Sequence, residues 1–204
     1  MKEIDYYLTS SSPFNYLGFK PIQDVATKHG YTLNIRPVNI RGIWAETGAV
    51  PPAERPPIRQ RMRLIELQRF ALHRGVPLNK QPKFFPVDPT LADKTIIALI
   101  EQGENPQPYM AGIFASVWVH EENIADEKTL FNLLKEHDHN PETTLTLAKN
   151  QTITTIRDTN TQLAVKAGAL GVPSYVLNGE CFWGQDRISL LDEAITTRRS
   201  FING

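Results

Sequence analysis

The sequence predicts an α/β protein whose sheet-forming segments lie at the two ends of the chain, separated by an all-helical insertion. Three observations predict it. Strand patterns over residues 4–8 and 31–37 flank a helical pattern near the start. Between about residues 42 and 168 the apolar residues recur at helical spacing. Strand patterns then return over 174–177 and 180–183, ahead of a last helix. At 204 residues the chain can bury one good core, or one domain with a sizeable insertion.

The first strand, Ile4-Asp5-Tyr6-Tyr7-Leu8, runs into a helix opened by Ser12-Pro13. Ser at the cap serves the free N–H groups of the first turn, and Pro at the first helical position brings no N–H to leave unpaired. Phe14, Leu17, Ile22 and Val25 supply its apolar face. Pro21 is expected to kink this helix, and Gly30 to close it in a left-handed conformation. Tyr31, Leu33 and Ile35 then alternate, as in a half-buried strand. Such a β-α-β unit normally has parallel strands and a right-handed crossover.

Residues 42–52, with Pro51-Pro52, read as the loop into the helical block. Pro56-Pro57 opens a helix with Ile58, Met62, Ile65 and Leu72 on one face. Asp88-Pro89 opens another, with Ile96, Leu99 and Ile100, which ends at Gly103. Asn105-Pro106 repeats the device ahead of Tyr109, Met110, Ile113, Phe114, Val117 and Trp118, a core-packing stripe. Asp126 caps a helix with Leu130, Leu133 and Leu134. Asn140-Pro141 opens the last and longest helix of the block. Its stripe is Leu145, Ala148, Ile153, Ile156, Leu163 and Ala167, and it ends at Gly168. Two short strands joined by Asn178-Gly179 form a hairpin with a type I′ turn. Asp186 is expected to cap the final helix, with Ile188, Leu191, Ala194 and Ile195. This order is that of a thioredoxin-like domain (1–41 and 169–204) split by a helical insertion (42–168).

Composition narrows the function classes. The 22 basic and 22 acidic residues balance, which removes the electrostatic case for nucleic acid or a charged membrane surface. No apolar run approaches the roughly 18 residues of a spanning helix, and the start lacks the apolar stretch of a signal peptide. The one cysteine, Cys181, cannot form an internal disulfide, which fits a reducing, cytoplasmic setting. Cys181 reads as a small buried side chain. His137-Asp138-His139 reads as a solvated turn, and no metal site is expected.

Three places carry candidate chemistry. At the strand-to-helix junction, redox proteins of thioredoxin type place Cys-x-x-Cys. Here the two positions are Ser12 and Asn15, which rules out thiol-disulfide exchange at this site. A helix N-terminus favours an anion and lowers a thiol's pKa from about 8.5. It therefore suits another molecule's thiolate, with the Ser12 hydroxyl as donor. Ser12 reads equally well as a plain helix cap. The second place is Gly171-Val172-Pro173-Ser174, at the position of a cis-proline that leaves the backbone of Val172 free to pair with an extended peptide. The alternative is an ordinary proline at a strand start. The third is Phe182-Trp183-Gly184-Gln185-Asp186-Arg187. There Asp186 can meet the cationic amine of a γ-glutamyl group, or simply cap the helix.

At these residues, and at Ser12-Pro13-Phe14-Asn15-Tyr16-Leu17-Gly18, the chain resembles 2-hydroxychromene-2-carboxylate isomerase. It is also similar to kappa-class glutathione transferase, a relative within the DsbA-like thioredoxin superfamily. The resemblance extends through Gly75-Val76-Pro77-Leu78 and Phe85-Pro86-Val87-Asp88-Pro89. It implies a glutathione-dependent, homodimeric, soluble enzyme of aromatic compound catabolism. In it Ser12 stabilises the glutathione thiolate, and Ser12, Phe14, Val172, Gln185 and Asp186 hold glutathione. The implied reaction is isomerisation of a conjugated aromatic keto or hydroxy acid by thiolate addition, bond rotation and elimination. A kappa-like transferase would leave the thiol on its product. A thioredoxin-fold scaffold that binds without turnover is a third reading. On the substrate side the resemblance implies Arg55, with Arg41 as the nearest second cation and Phe84 near an aromatic position. Glu54 stands in place of an asparagine, Ala49 in place of another, and the isomerase's lysine has no counterpart.

Overall fold

The computed structural model describes residues 2–202. Its centre is a four-stranded sheet in the order β2-β1-β3-β4. The strands are β1 (Glu3–Leu8), β2 (Thr32–Pro37), β3 (Ser174–Leu177) and β4 (Glu180–Trp183). β1 and β2 are parallel and joined through α1 (Pro13–His29). β3 runs antiparallel to β1, with Tyr175 opposite Tyr6 and Ser174 opposite Tyr7, and β4 returns antiparallel to β3. The two ends of the chain thus meet in one sheet. The hairpin turn has Asn178 at φ 51° and Gly179 at φ 88°, the left-handed pair that a type I′ turn needs.

Alternation along β1 sends its side chains to two cores. Ile4, Tyr6 and Leu8 face a large cluster with Phe19 and Ile22 of α1 and Ile188 and Leu191 of α9 (Ile188–Thr197). Tyr7 and Val176 face the opposite side, with Ile43 of α2 (Ile40–Thr47) and Ala164 of α8 (Gln151–Lys166). The large cluster continues into the middle of the chain. Ile96 and Leu99 of α4 (Thr90–Glu101) and Met110 and Phe114 of α5 (Gln107–Trp118) belong to it. Phe114 meets Phe19 edge-on at 5.3 Å. Leu130, Leu133 and Leu134 of α6 (Glu127–Glu136) and Leu145 of α7 (Pro141–Ala148) complete it. Each large apolar side chain buried there contributes roughly 1.5–3 kcal/mol.

Several elements depart from the sequence reading. Residues 42–52 are not all loop: α2 is capped by the Asn39 side chain, which accepts from the Arg41 N–H at 3.2 Å. The long helix expected from Asn140 is two. Asn150, in extended conformation, accepts from the Thr152 N–H at 2.9 Å and starts α8 afresh after α7. The face read as buried on α3 (Pro57–Arg74) is outward, with Ile58 66% and Leu72 84% exposed. Leu67 and Ala71 are buried there instead, against Leu17 of α1. The buried face of α8 includes Arg157, Asn160 and Thr161, while Leu163 is exposed. Asp186 makes no cap; it lies in a 3₁₀ turn over Gln185–Arg187 and pairs with Arg187. His137-Asp138-His139 is a turn with Asp138 exposed, but its histidines are half-buried: both rings pack edge-on to Tyr109, and His139 meets Glu104. α1 runs unbroken through Pro21. No helix among the described residues is long and apolar enough to cross a membrane.

Candidate functional site

The start of α1 lies at the carboxyl end of β1. Ser12 is its cap, extended at φ −81° and ψ 125°, and its Oγ accepts from the Asn15 N–H at 3.4 Å. A hydroxyl has one proton to donate besides its lone pairs, so accepting from Asn15 leaves that proton available outward. Pro13 has no N–H, so the first backbone donor of the helix belongs to Phe14. The Phe14 side chain is half-buried against the cluster of Leu17, Leu67 and Ala71.

Asn15, three residues after Ser12, is a structural tie. It is fully buried, its Nδ2 donates to the Thr9 carbonyl at 2.9 Å, and its Oδ1 accepts from the Tyr6 hydroxyl at 3.2 Å. Burial pushes the Tyr6 hydroxyl well above its usual pKa and keeps it a donor.

Behind the loop 9–12 stands Asp93 of α4, with no exposed surface. Its carboxylate accepts from the Thr9 hydroxyl at 2.9 Å, the Ser10 N–H at 2.8 Å and Arg157 Nη2 of α8 at 2.8 Å. Burial pushes the Asp93 carboxyl up, opposed by the Arg157 charge and the Ser10 N–H. The pair thus ties the loop before Ser12 to two helices of the central block.

The β1–β3 register sets the second part. Because Ser174 lies opposite Tyr7, Val172 and Pro173 fall beside the end of β1 and the loop that leads to Ser12. The Val172–Pro173 peptide bond is cis. The Ser174 hydroxyl donates to the Gly171 carbonyl at 2.8 Å, and the Pro173 carbonyl accepts from the Gly184 N–H at 2.9 Å. That last bond brings the third part, the turn 184–187, to the same end of the sheet. Gly184 has φ +106°, and a Cβ there would collide with the Asp186 carboxylate. The turn rests on α1 at Gly18: a Cβ there would lie 2.8 Å from the Tyr175 hydroxyl and 2.9 Å from Gln185 Cβ.

Ser12, Val172, Gln185 and Asp186 are therefore brought to one end of the sheet. The substrate-side candidates are more scattered. Arg55 is half-buried after a 3₁₀ turn over Pro52–Glu54, and its Nε donates to the Val50 carbonyl at 2.9 Å. Burial and neighbouring Arg59 lower its pKa. Arg41 is exposed on α2, and its charge helps lower the Asp88 carboxyl, behind the stronger effect of the Thr90 hydrogen bond. Phe84 is 38% exposed, with Lys83 Nζ 5.1 Å from its ring centre. Its neighbour Phe85 is the packed aromatic, 4.9 Å from Trp118 and under the Arg63 guanidinium at 5.3 Å. Cys181 is half-buried, and burial pushes its thiol up.

The sequence reading missed three residues here: Asp93, Arg157 and Arg74. Arg74 ends α3 and donates through Nη2 to the Gln185 main-chain carbonyl at 3.1 Å and to Gln185 Oε1. The only signal available for them was a charged residue inside an otherwise helical pattern, and their partners lie far away in sequence.

The DSBA-like thioredoxin domain family matches residues 3–196. Glutathione S-transferase kappa 1 of Caenorhabditis elegans is 27% identical, over 96% of this chain and 91% of that protein. The 2-hydroxychromene-2-carboxylate isomerase of Pseudomonas putida is also 27% identical, over 94% of this chain and 93% of that protein. A solved 2-hydroxychromene-2-carboxylate isomerase shares the fold, with a TM-score of 0.80 and 19% identity over 96% of this chain and 95% of that one. The chain belongs to the DSBA-like thioredoxin domain family.

Proposed function

We propose that the protein is a glutathione-dependent isomerase of 2-hydroxychromene-2-carboxylate or a related conjugated aromatic keto or hydroxy acid. The observation that carries this reading is the convergence of Ser12 and Val172 at the N-terminus of α1, with Gln185 beside its second turn at Gly18 and no cysteine among them. The donor set fits glutathione. Ser12 has a free hydroxyl proton for a thiolate, and the helix N-terminus favours the negative form. The Val172 backbone suits the cysteinyl portion, and Gln185 with Asp186 suits the γ-glutamyl end. Phe14 packs beside the cap and lines the approach to the thiol.

When bound, glutathione supplies a thiol that adds reversibly to a conjugated double bond, turning it into a single bond that can rotate, and leaves unchanged. The protein's own part is to hold the thiol ionised at Ser12 and to orient the acid. Arg55, with Arg41 as the second cation, receives the substrate carboxylate, and Phe84 offers an aromatic edge. In this reading the enzyme is a cytoplasmic homodimer that takes a small aromatic acid.

Glutathione conjugation is the second reading. The kappa transferase matches at the same identity over a comparable share of the chain, and Glu54 and Ala49 depart from the substrate-side pattern. Turnover assays separate them. Isomerisation of 2-hydroxychromene-2-carboxylate that requires glutathione without consuming it is the expected result. Consumption of glutathione with an electrophile, and no isomerisation, would favour the transferase. Glutathione binding without either activity would leave a scaffold.

A further inference from the structure

We propose that Arg74 is a positioning residue that fixes the Gln185 side-chain amide with its NH₂ group turned toward ligand. The inference rests on the function proposed above and concerns its γ-glutamyl end. Arg74 reaches from the last turn of α3 across to the turn 184–187. One atom, Nη2, serves both the Gln185 main-chain carbonyl, at 3.1 Å, and its side-chain Oε1. A guanidinium has donors only, so the atom it meets on the amide must be the oxygen. The NH₂ group is then on the other side. Among the described residues it has no hydrogen-bond partner.

The Gln185 side chain is also closely packed at its base. Gln185 is 2% exposed, and Gly18 of α1 approaches so closely that one added carbon would stand 2.9 Å from Gln185 Cβ. The next residue, Asp186, is exposed and carries a carboxylate. An oriented amide donor and an acceptor carboxylate on adjacent residues complement a carboxylate and an ammonium on one carbon. That is the α-amino acid end of a γ-glutamyl group.

Arg74 itself is poorly spent on the fold. Its Nε is buried without a hydrogen-bond partner, and it forms no salt bridge among the described residues. The guanidinium lies over the Phe70 ring at 5.8 Å. Burial lowers its pKa, opposed by the nearby Tyr175 and Asp186.

The test uses two ligands: glutathione, and butanoyl-cysteinylglycine, which lacks only the ammonium and α-carboxylate. Calorimetric affinities are measured for wild type, Arg74→Met and Gln185→Glu. Wild type is expected to prefer glutathione by at least about tenfold, the equivalent of one or two good hydrogen bonds. Both variants should bring the two affinities within about threefold and leave the pKa of the bound thiol unchanged. Gln185→Glu is the sharper variant. Its carboxylate still accepts from Arg74, so thermal stability is kept while the outward donor is lost. Should Arg74→Met fail to fold, Gln185→Glu decides alone. Retained preference in Gln185→Glu would overturn the proposal, as would a wild type that binds both ligands equally. A wild type that binds neither would overturn the glutathione reading itself.

Discussion

The loop 9–12 and the turn 184–187 flank the same helix and are anchored in opposite ways. Behind the first stands the Asp93–Arg157 pair, with Asp93 wholly buried and every contact made to backbone or side chain of the fold. Behind the second stands Arg74, half-buried, with part of its guanidinium unbonded. A buried charge pair costs desolvation, and breaking it leaves an uncompensated charge, so the first loop is held stiffly. Arg74 meets only neutral oxygens, so its removal leaves no buried charge unpaired, and the second turn is less costly to disturb. In the function proposed above, the end that would hold a thiolate is the more strongly anchored one. The end that would recognise the γ-glutamyl group is the one that costs less to disturb.

The largest expected effect breaks the stiff anchor. Asp93→Ala leaves Arg157 buried and unpaired and should lower the unfolding free energy by about 3–5 kcal/mol. Replacing both, as Asp93→Leu with Arg157→Met, should cost markedly less. Urea unfolding of both variants measures the difference, and a double variant as unstable as Asp93→Ala would contradict the pairing account.

Next comes Gly18→Ala, which sets a methyl against Tyr175 and Gln185. Overpacking there should cost about 1–3 kcal/mol and should weaken binding at the turn more than at Ser12. Thermal unfolding with a calorimetric titration reads both.

Arg74→Met should change stability by less than about 1.5 kcal/mol, the scale of a net hydrogen bond. An effect as large as that of Asp93→Ala would erase the distinction between the two anchors.

The smallest effect lies at the far end of α1. Lys28 and His29 hold the Asp192 carboxylate of α9, with His29 Nε2 at 2.5 Å, and these hydrogen bonds lower its pKa. A depressed pKa gives stability that is present above the ordinary carboxylate value of about 3.9 and lost as pH falls through the folded value. Asp192→Asn should flatten the acid limb of the stability curve below about pH 4 and leave ligand binding untouched.

The comparison also explains what the sequence disclosed. Elements closed by backbone-specific residues were legible. Gly30 ends α1, Asp126 caps α6 and Asn178-Gly179 makes the hairpin, each at the expected place. Ser12 and Val172-Pro173 stood out for the same reason, because cap and proline chemistry is local. What failed was the reading of faces. On α3 Ile58, Met62 and Leu72 are exposed while Leu67 and Ala71 are buried, and on α8 the inward face is largely polar. There Arg157 meets Asp93, Asn160 donates to the Pro37 carbonyl, and Thr161 accepts from the Asn39 N–H. Hydrophobic periodicity cannot register a buried face built from charges and amides. Their partners lie 64, 123 and 122 residues away, beyond any local pattern. Arg74 and Gln185, 111 residues apart, escape for the same reason.

The most direct test of the central claim is glutathione binding by calorimetry, in buffers of different ionisation heat, for wild type and Ser12→Ala from pH 6 to 9. The account predicts binding with proton release near neutral pH in wild type, where free glutathione would still be protonated, and sharply reduced release in Ser12→Ala. Binding without proton release, or release undiminished by Ser12→Ala, would contradict it.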